Sequence, residues 1–266
     1  MPWETIDRVR TCFAITGQGT PVVLLHGLQG DLSNFAGLVP GLAERHRVLA
    51  FDQRGSGWTD KPAQRYSTAR YADDTARLMD ALEIDRAHVF GVSMGGMVAQ
   101  EFALRHPQRL RRLVLGCTTA GGPRAVTVES ESRESAYEAS ELTAEERARR
   151  FAEAGFSPGF VPAHPEVLQR LIAARRERPL DVRALARRRR ALEAHDTSRR
   201  LADIAASTLV ITGLQDRVVS PENSRQLARA LPSARLETLD PAGHLFWIER
   251  PQETLALLLS FLAEDD

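Results

Sequence analysis

Between residues 1 and 120 the chain alternates short, unbroken apolar runs with stretches in which apolar residues recur every three or four positions. Pro21-Val-Val-Leu-Leu-His26, Arg47-Val-Leu-Ala-Phe-Asp52, Ala87-His-Val-Phe-Gly91 and Leu113-Val-Leu-Gly116 are the unbroken runs. Such runs predict strands covered on both faces, because a strand with one wet face alternates apolar and polar positions. The periodic stretches 68–82 and 94–105 predict helices. Strand-helix repetition of this kind implies a mostly parallel sheet joined by right-handed crossovers and flanked by helices.

The pattern changes after Gly121-Gly-Pro123. Up to about residue 200 the chain is rich in Arg, Glu and Ala, has helical periodicity and offers no convincing strand. Stretches 136–153 and 165–176 predict amphipathic helices, and Pro158, Pro162, Pro165 and Pro179 punctuate the region. Alternation then resumes, with strands over 207–212 and 234–239 and helices over 221–230 and 251–262. Pro221 suits the first turn of its helix. The expectation is an α/β core from 1–120 and 201–266, interrupted by a helical cap over 121–200.

Composition narrows the partners. The 266 residues suit one large domain carrying an insertion. Equal numbers of basic and acidic residues, 35 each, give no broad attraction for nucleic acid or an anionic membrane. Acidic residues surround the Arg187–Arg190 run, which reads as a solvated helical face. Lys61, the only lysine, sits in a Pro-flanked loop and is a poor Schiff-base candidate. Two cysteines form no disulfide framework and no Cys/His spacing resembles a metal site; Cys117 reads as a buried, inert thiol. No signal sequence or membrane-spanning run is evident. A soluble cytoplasmic protein acting on a small molecule, without cofactor or metal, is expected, with a homo-oligomer left open.

The candidate chemistry centres on Gly91-Val-Ser-Met-Gly95, which follows a predicted strand and opens a predicted helix. That context makes a sharp turn that presents a serine above the sheet edge. A serine hydroxyl needs a base and an orienting acid. Among seven histidines, His244 lies after the serine and in a loop beyond the last predicted strand. Asp216 lies after the strand over 207–212, on the same sheet edge. Asp203 precedes that strand, Asp196 marks the cap exit, and Asp240 is placed to structure the His244 turn. An oxyanion needs two backbone donors. Met94 N–H follows the nucleophile, and Leu28 N–H, with Gln29 N–H as alternative, comes from the loop after His26-Gly27. His26 is read as a brace for that loop. Asp52-Gln-Arg-Gly-Ser-Gly57 lacks phosphate-loop spacing and reads as a structural turn in which Asp52 and Arg54 tie neighbouring loops. Leu28, Gln29, Phe35, Met94, Phe156 and Phe160 are candidates for a largely apolar substrate pocket.

These motifs resemble the α/β-hydrolase superfamily: His26-Gly27, Asp52-x-Arg54-Gly55-x-Gly57, Gly91-Val-Ser93-Met-Gly95-Gly96, Gly213-x-x-Asp216 and Ala242-Gly-His244. The chain is most similar to the branch of 3-oxoadipate enol-lactonases, cofactor-free haloperoxidases (perhydrolases) and small carboxylesterases. The resemblance implies Ser93 as nucleophile, His244 as base and Asp216 as acid, agreeing with the residue-level reading. Leu28-Gln29-Gly30 departs from relatives that carry a proline soon after His-Gly. A serine at the nucleophile position argues against the carboxylate chemistry of haloalkane dehalogenases and epoxide hydrolases. Hydrolysis of a carboxylic ester or lactone through an acyl-enzyme is expected. Perhydrolysis, C–C bond hydrolysis, thioester or amide cleavage, or ligand reception on this fold are the alternatives.

Overall fold

A computed structural model describes residues 1–128 and 142–264. The sheet has eight strands: β1 (Trp3–Ile6), β2 (Val9–Thr16), β3 (Thr20–Leu25), β4 (His46–Phe51), β5 (Ala87–Val92), β6 (Leu110–Gly116), β7 (Thr208–Gly213) and β8 (Ala234–Leu239). Their spatial order is β1-β2-β4-β3-β5-β6-β7-β8. β3 to β8 run parallel, whereas β1 and β2 form an antiparallel hairpin whose second strand pairs with β4.

The six expected strands are all present, four of them read from unbroken apolar runs. The hairpin was not legible, because Val9–Thr16 interrupts its apolar residues with Arg10, Thr11 and Thr16 and has a partly wet end. Side chains alternate between two cores, as the strand period of two requires. Val23, Leu25, Val89, Leu113, Leu115 and Val210 join one cluster. Val22, Leu24, Phe90, Val114, Leu209 and Ile211 join the other.

Helices Thr68–Ala81, Met94–Arg105, Pro221–Ala230 and Pro251–Leu262 occupy the expected stretches. Between β6 and β7 the chain contains helices Ala144–Gly155, Phe160–Ala163, Pro165–Glu177 and Val182–Glu193. Residues 136–141 of the helix expected over 136–153 lie outside the described residues. The remainder starts where Thr143 and Glu146 close a reciprocal capping box. The excursion leaves and returns through one neck, where Gly121 bridges Asp196 and Thr197 N–H donates to Ala120 O at 2.8 Å. Ala148, Ala152, Phe156, Val167, Leu168 and Ile172 pack into the same apolar cluster as Phe35 and Trp247. These helices therefore lie against the loops at the C-terminal edge of the sheet.

Candidate active site

Strand register brings the carboxyl ends of neighbouring strands to one edge: Leu25 pairs with Gly91, Val92 with Gly116, and Gly213 with Leu239. The segments leaving that edge carry the candidate residues, as expected for open α/β sheets.

Ser93 adopts φ 54°, ψ −122° between β5 and its helix. A non-glycine residue at positive φ is strained and persists only where its surroundings hold it. Here Ser93 N–H donates to Gly116 O at 2.8 Å and Thr118 Oγ1–H donates to Ser93 O at 2.7 Å. Its glycine neighbours are needed sterically. A Cβ at Gly91 would meet Gly95 O at 2.2 Å, and one at Gly95 would meet Leu25 O at 2.0 Å.

Asp216 and His244 meet in the interior, both 5 % exposed. His244 Nδ1 lies 2.8 Å from Asp216 Oδ2. A carboxylate oxygen accepts, so Nδ1 carries the hydrogen and Nε2 is the free acceptor. Asp216 Oδ1 accepts from Val218 and Val219 N–H at 2.8 and 2.9 Å, which fixes the carboxylate. Burial works against a charged imidazole, but the Asp216 carboxylate and the neighbouring Cys117 outweigh it and hold His244 well above its ordinary value. Cys117, Asp216 and His244 have ligand-type atoms within 4.8 Å of one another. Nδ1 and Oδ2 are already engaged with each other, so the group fits base and orienting acid better than a metal centre. Cys117 is buried, as expected, and burial pushes its thiol up.

Ser93 and His244 both line a small cavity of about 30 Å³ with Gly27, Leu28, Gln29 and Asn34. Phe151, Ala154, Leu245 and Trp247 complete its apolar side. The loop bearing Leu28 is close: a Cβ on Gly27 would lie 3.2 Å from Ser93 Cβ. Among the described residues neither Leu28 N–H nor Met94 N–H has a protein acceptor. Of the proposed pocket residues, only Leu28 and Gln29 line this cavity. Phe35 is fully buried beneath it, with Phe90 and Trp247 ring centroids at 5.8 and 6.3 Å. Met94 turns its side chain into the core under the sheet edge. Phe156 is buried and stacks on Phe160 at 4.6 Å, away from the wall. Phe151, one helical turn before Gly155, takes the place expected of the two later phenylalanines.

The brace at His26 is extensive. Gln53 N–H donates to His26 Nε2 at 3.2 Å, so Nδ1 bears the hydrogen and donates to Gly27 O at 2.9 Å. Burial, with the Arg188 charge beside it, pushes His26 well below its ordinary value and keeps it neutral. Asp52 ties loops as expected, accepting from Leu32 and Trp58 N–H at 2.8 and 2.7 Å. Arg54 pairs bidentately with Asp74.

Two contributors were not foreseen. The Arg187–Arg190 run is not a uniformly solvated face: Arg188 is wholly buried and its Nη2 donates to Gly27 O at 2.9 Å. Arg188 falls on the stripe of Ala184, Leu185 and Ala191, so helical spacing carried the signal that run composition hid. Glu249 is the second. It accepts from Gly243 N–H at 2.7 Å and from the N–H and hydroxyl of Ser157, clamping the His244 loop to the end of helix Ala144–Gly155.

Sheet order, edge and residue match define an α/β hydrolase. The alpha/beta hydrolase fold family matches residues 20–251, and the chain belongs to it. It is 31% identical to 2-hydroxy-6-oxo-2,4-heptadienoate hydrolase of Pseudomonas putida over 94% of this chain and 91% of that protein. It is 30% identical to 2-hydroxymuconate semialdehyde hydrolase of a Pseudomonas species over 97% of this chain and 92% of that protein. Among solved structures, the enol-lactonase from Burkholderia xenovorans superposes with a TM-score of 0.89 at 29% identity, covering 99% of this chain and all of that one. The chain is thus a hydrolase. No helix among the described residues is long and apolar enough to cross a membrane.

Proposed function

We propose that the protein hydrolyses a carboxylic ester or lactone through an acyl-enzyme on Ser93. The observation that carries this reading is the meeting in one cavity of strained Ser93 and of His244, whose Nδ1 is bonded to Asp216 at 2.8 Å. Ser93 Oγ attacks the carbonyl carbon while His244 Nε2 takes its proton. Met94 and Leu28 N–H groups receive the oxyanion, helped by the helix N-terminus at Met94. His244 returns the proton to the leaving alkoxide. Water then loses a proton to His244 and attacks the acyl carbon, and Ser93 Oγ leaves and is reprotonated. Asp216 orients the imidazole and stabilises its cation. Residues 121–200 act as a cap, supplying Phe151, Ala154 and Gly155 to the wall. The narrow apolar cavity favours a small acyl group at the reacting end. A panel of p-nitrophenyl esters of increasing chain length, run beside lactones, tests the reading; turnover fastest for short acyl chains is expected, and no turnover of any ester or lactone refutes it.

One observation favours a second reading. The Pseudomonas putida relative's named substrate contains a ketone and no ester. On the same residues this chemistry is hydrolysis of a C–C bond beside a ketone. A 2-hydroxy-6-oxodienoate in the same panel separates the two: kcat/KM above that for every ester and lactone assigns C–C cleavage.

A further inference from the structure

Two helices of the cap each send one arginine onto the loop after β3. Arg188, from helix Val182–Glu193, is wholly buried, and its Nη2 donates to Gly27 O at 2.9 Å. Its Nε and Nη1 have no partner among the described residues, and the acceptor it engages is a carbonyl rather than a carboxylate. Arg175, from helix Pro165–Glu177, donates through Nη2 to Gln29 O at 2.9 Å.

These bonds run in one direction. The Gln29–Gly30 peptide accepts from Arg175 at its oxygen and donates from its N–H to Gly27 O at 3.1 Å. The Gly27–Leu28 peptide accepts at its oxygen from Arg188, from His26 Nδ1–H and from Gly30 N–H. It is a trans peptide, so its own N–H, that of Leu28, points away from those three donors. A charge-assisted bond at a peptide oxygen polarises the unit and strengthens its N–H as a donor, and the effect passes along a chain of such bonds. Both guanidinium charges are therefore relayed to the N–H of Leu28, which shares its cavity with Ser93.

We propose that Arg188 and Arg175 are positioning residues through which the cap builds the oxyanion hole: they orient the Gly27–Leu28 peptide and strengthen Leu28 N–H as donor to the developing oxyanion. The inference rests on the ester-hydrolase reading, in which Leu28 N–H is one of the two oxyanion donors. It gives the cap a part in the chemistry beyond walling the cavity. Without the cap in place the core keeps Ser93, His244 and Asp216, but the oxyanion loop loses both cations.

Sulfur accepts hydrogen bonds weakly, so a thionoester gains little from such a hole. The test compares p-nitrophenyl acetate with O-p-nitrophenyl thionoacetate in the wild type, Arg188→Met and Arg175→Met. Each variant should lower kcat/KM for the acetate by on the order of tenfold, less than the roughly hundredfold or more for deleting an oxyanion donor outright. The thionoester should slow much less, so the oxo-to-thiono ratio falls several-fold. The pH inflection should not move, because neither arginine bonds His244. A ratio that stays at the wild-type value in Arg188→Met overturns the proposal, whether or not the overall rate falls. Arg175→Met, on a less buried side chain, carries the same test if Arg188→Met does not fold. Phenylboronic acid, which forms a tetrahedral adduct on a serine Oγ, reads the hole without turnover; its Kd should rise about as much as kcat/KM falls. An unchanged Kd in both variants, or no binding to the wild type, overturns the proposal. If no ester is cleaved yet both variants weaken boronate binding, the ester-hydrolase reading has failed and the positioning role stands.

Discussion

Asp216→Asn keeps the side chain's shape and removes its charge. In the native protein Oδ1 takes two backbone N–H groups at 2.8 and 2.9 Å, and Oδ2 takes His244 Nδ1–H at 2.8 Å. An asparagine offers one oxygen for these donors. Moving it away from Val218 and Val219 would leave two N–H groups in this loop unpaired, a cost of about 1–3 kcal/mol each when buried. The oxygen therefore stays, and the amide NH2 faces Nδ1. Nδ1 must then accept, the ring hydrogen moves to Nε2, and Ser93 loses its proton acceptor. A wrong tautomer of this kind lowers kcat about ten-thousand-fold, or roughly 5.5 kcal/mol of barrier. The pH profile adds a second readout. His244 must be neutral to act, so activity is lost as pH falls through its titration. Burial lowers that titration point, but Asp216 with Cys117 raises it well above 6.5 in the native protein. Without the carboxylate, burial dominates and the inflection of residual activity moves to lower pH. Steady-state hydrolysis of a short p-nitrophenyl ester across pH, with thermal unfolding as a fold check, measures both. More than a tenth of wild-type kcat in a folded variant, or an unmoved inflection, refutes the reasoning.

Gly95→Ala places a Cβ 2.0 Å from Leu25 O, a backbone atom that cannot swing away; urea unfolding should show a loss of about 1–3 kcal/mol or more, with reduced kcat. Arg188→Met removes a buried cation whose Nε and Nη1 have no partner among the described residues; stability should hold or rise by about 1–4 kcal/mol in the same assay, while kcat falls because Gly27 O loses the Arg188 donor that supports it beside His26 Nδ1–H and Gly30 N–H. Both thiols are buried, and burial pushes Cys12 to about 11; iodoacetamide at about pH 8 should leave the native protein unmodified by mass spectrometry and alkylate Cys12 and Cys117 only after unfolding.

The sheet and its reactive edge were legible because buried parallel strands write unbroken apolar runs, and because an elbow between strand and helix tolerates only glycine around Ser93. His244 and Asp216 followed from chain order and strand ends, and the structure brings them within one hydrogen bond. Pocket lining was much less legible. Phe35, Met94, Phe156 and Phe160 share the composition of a pocket wall, but direction along helix and loop decides which apolar side chains meet the cavity, and it selects Phe151 and Trp247 instead. Arg188 and Glu249 were hidden because their work is long-range: one reaches Gly27 from position 188, the other bonds Ser157 from position 249. Local charge counting sees only their neighbours.

The most direct test is active-site labelling with a fluorophosphonate, located by intact mass and peptide mapping. We expect one adduct per chain, on Ser93, none in Ser93→Ala, and strongly slowed labelling in His244→Ala. No adduct on the folded wild-type protein, or an adduct that persists in Ser93→Ala, contradicts Ser93 as the nucleophile.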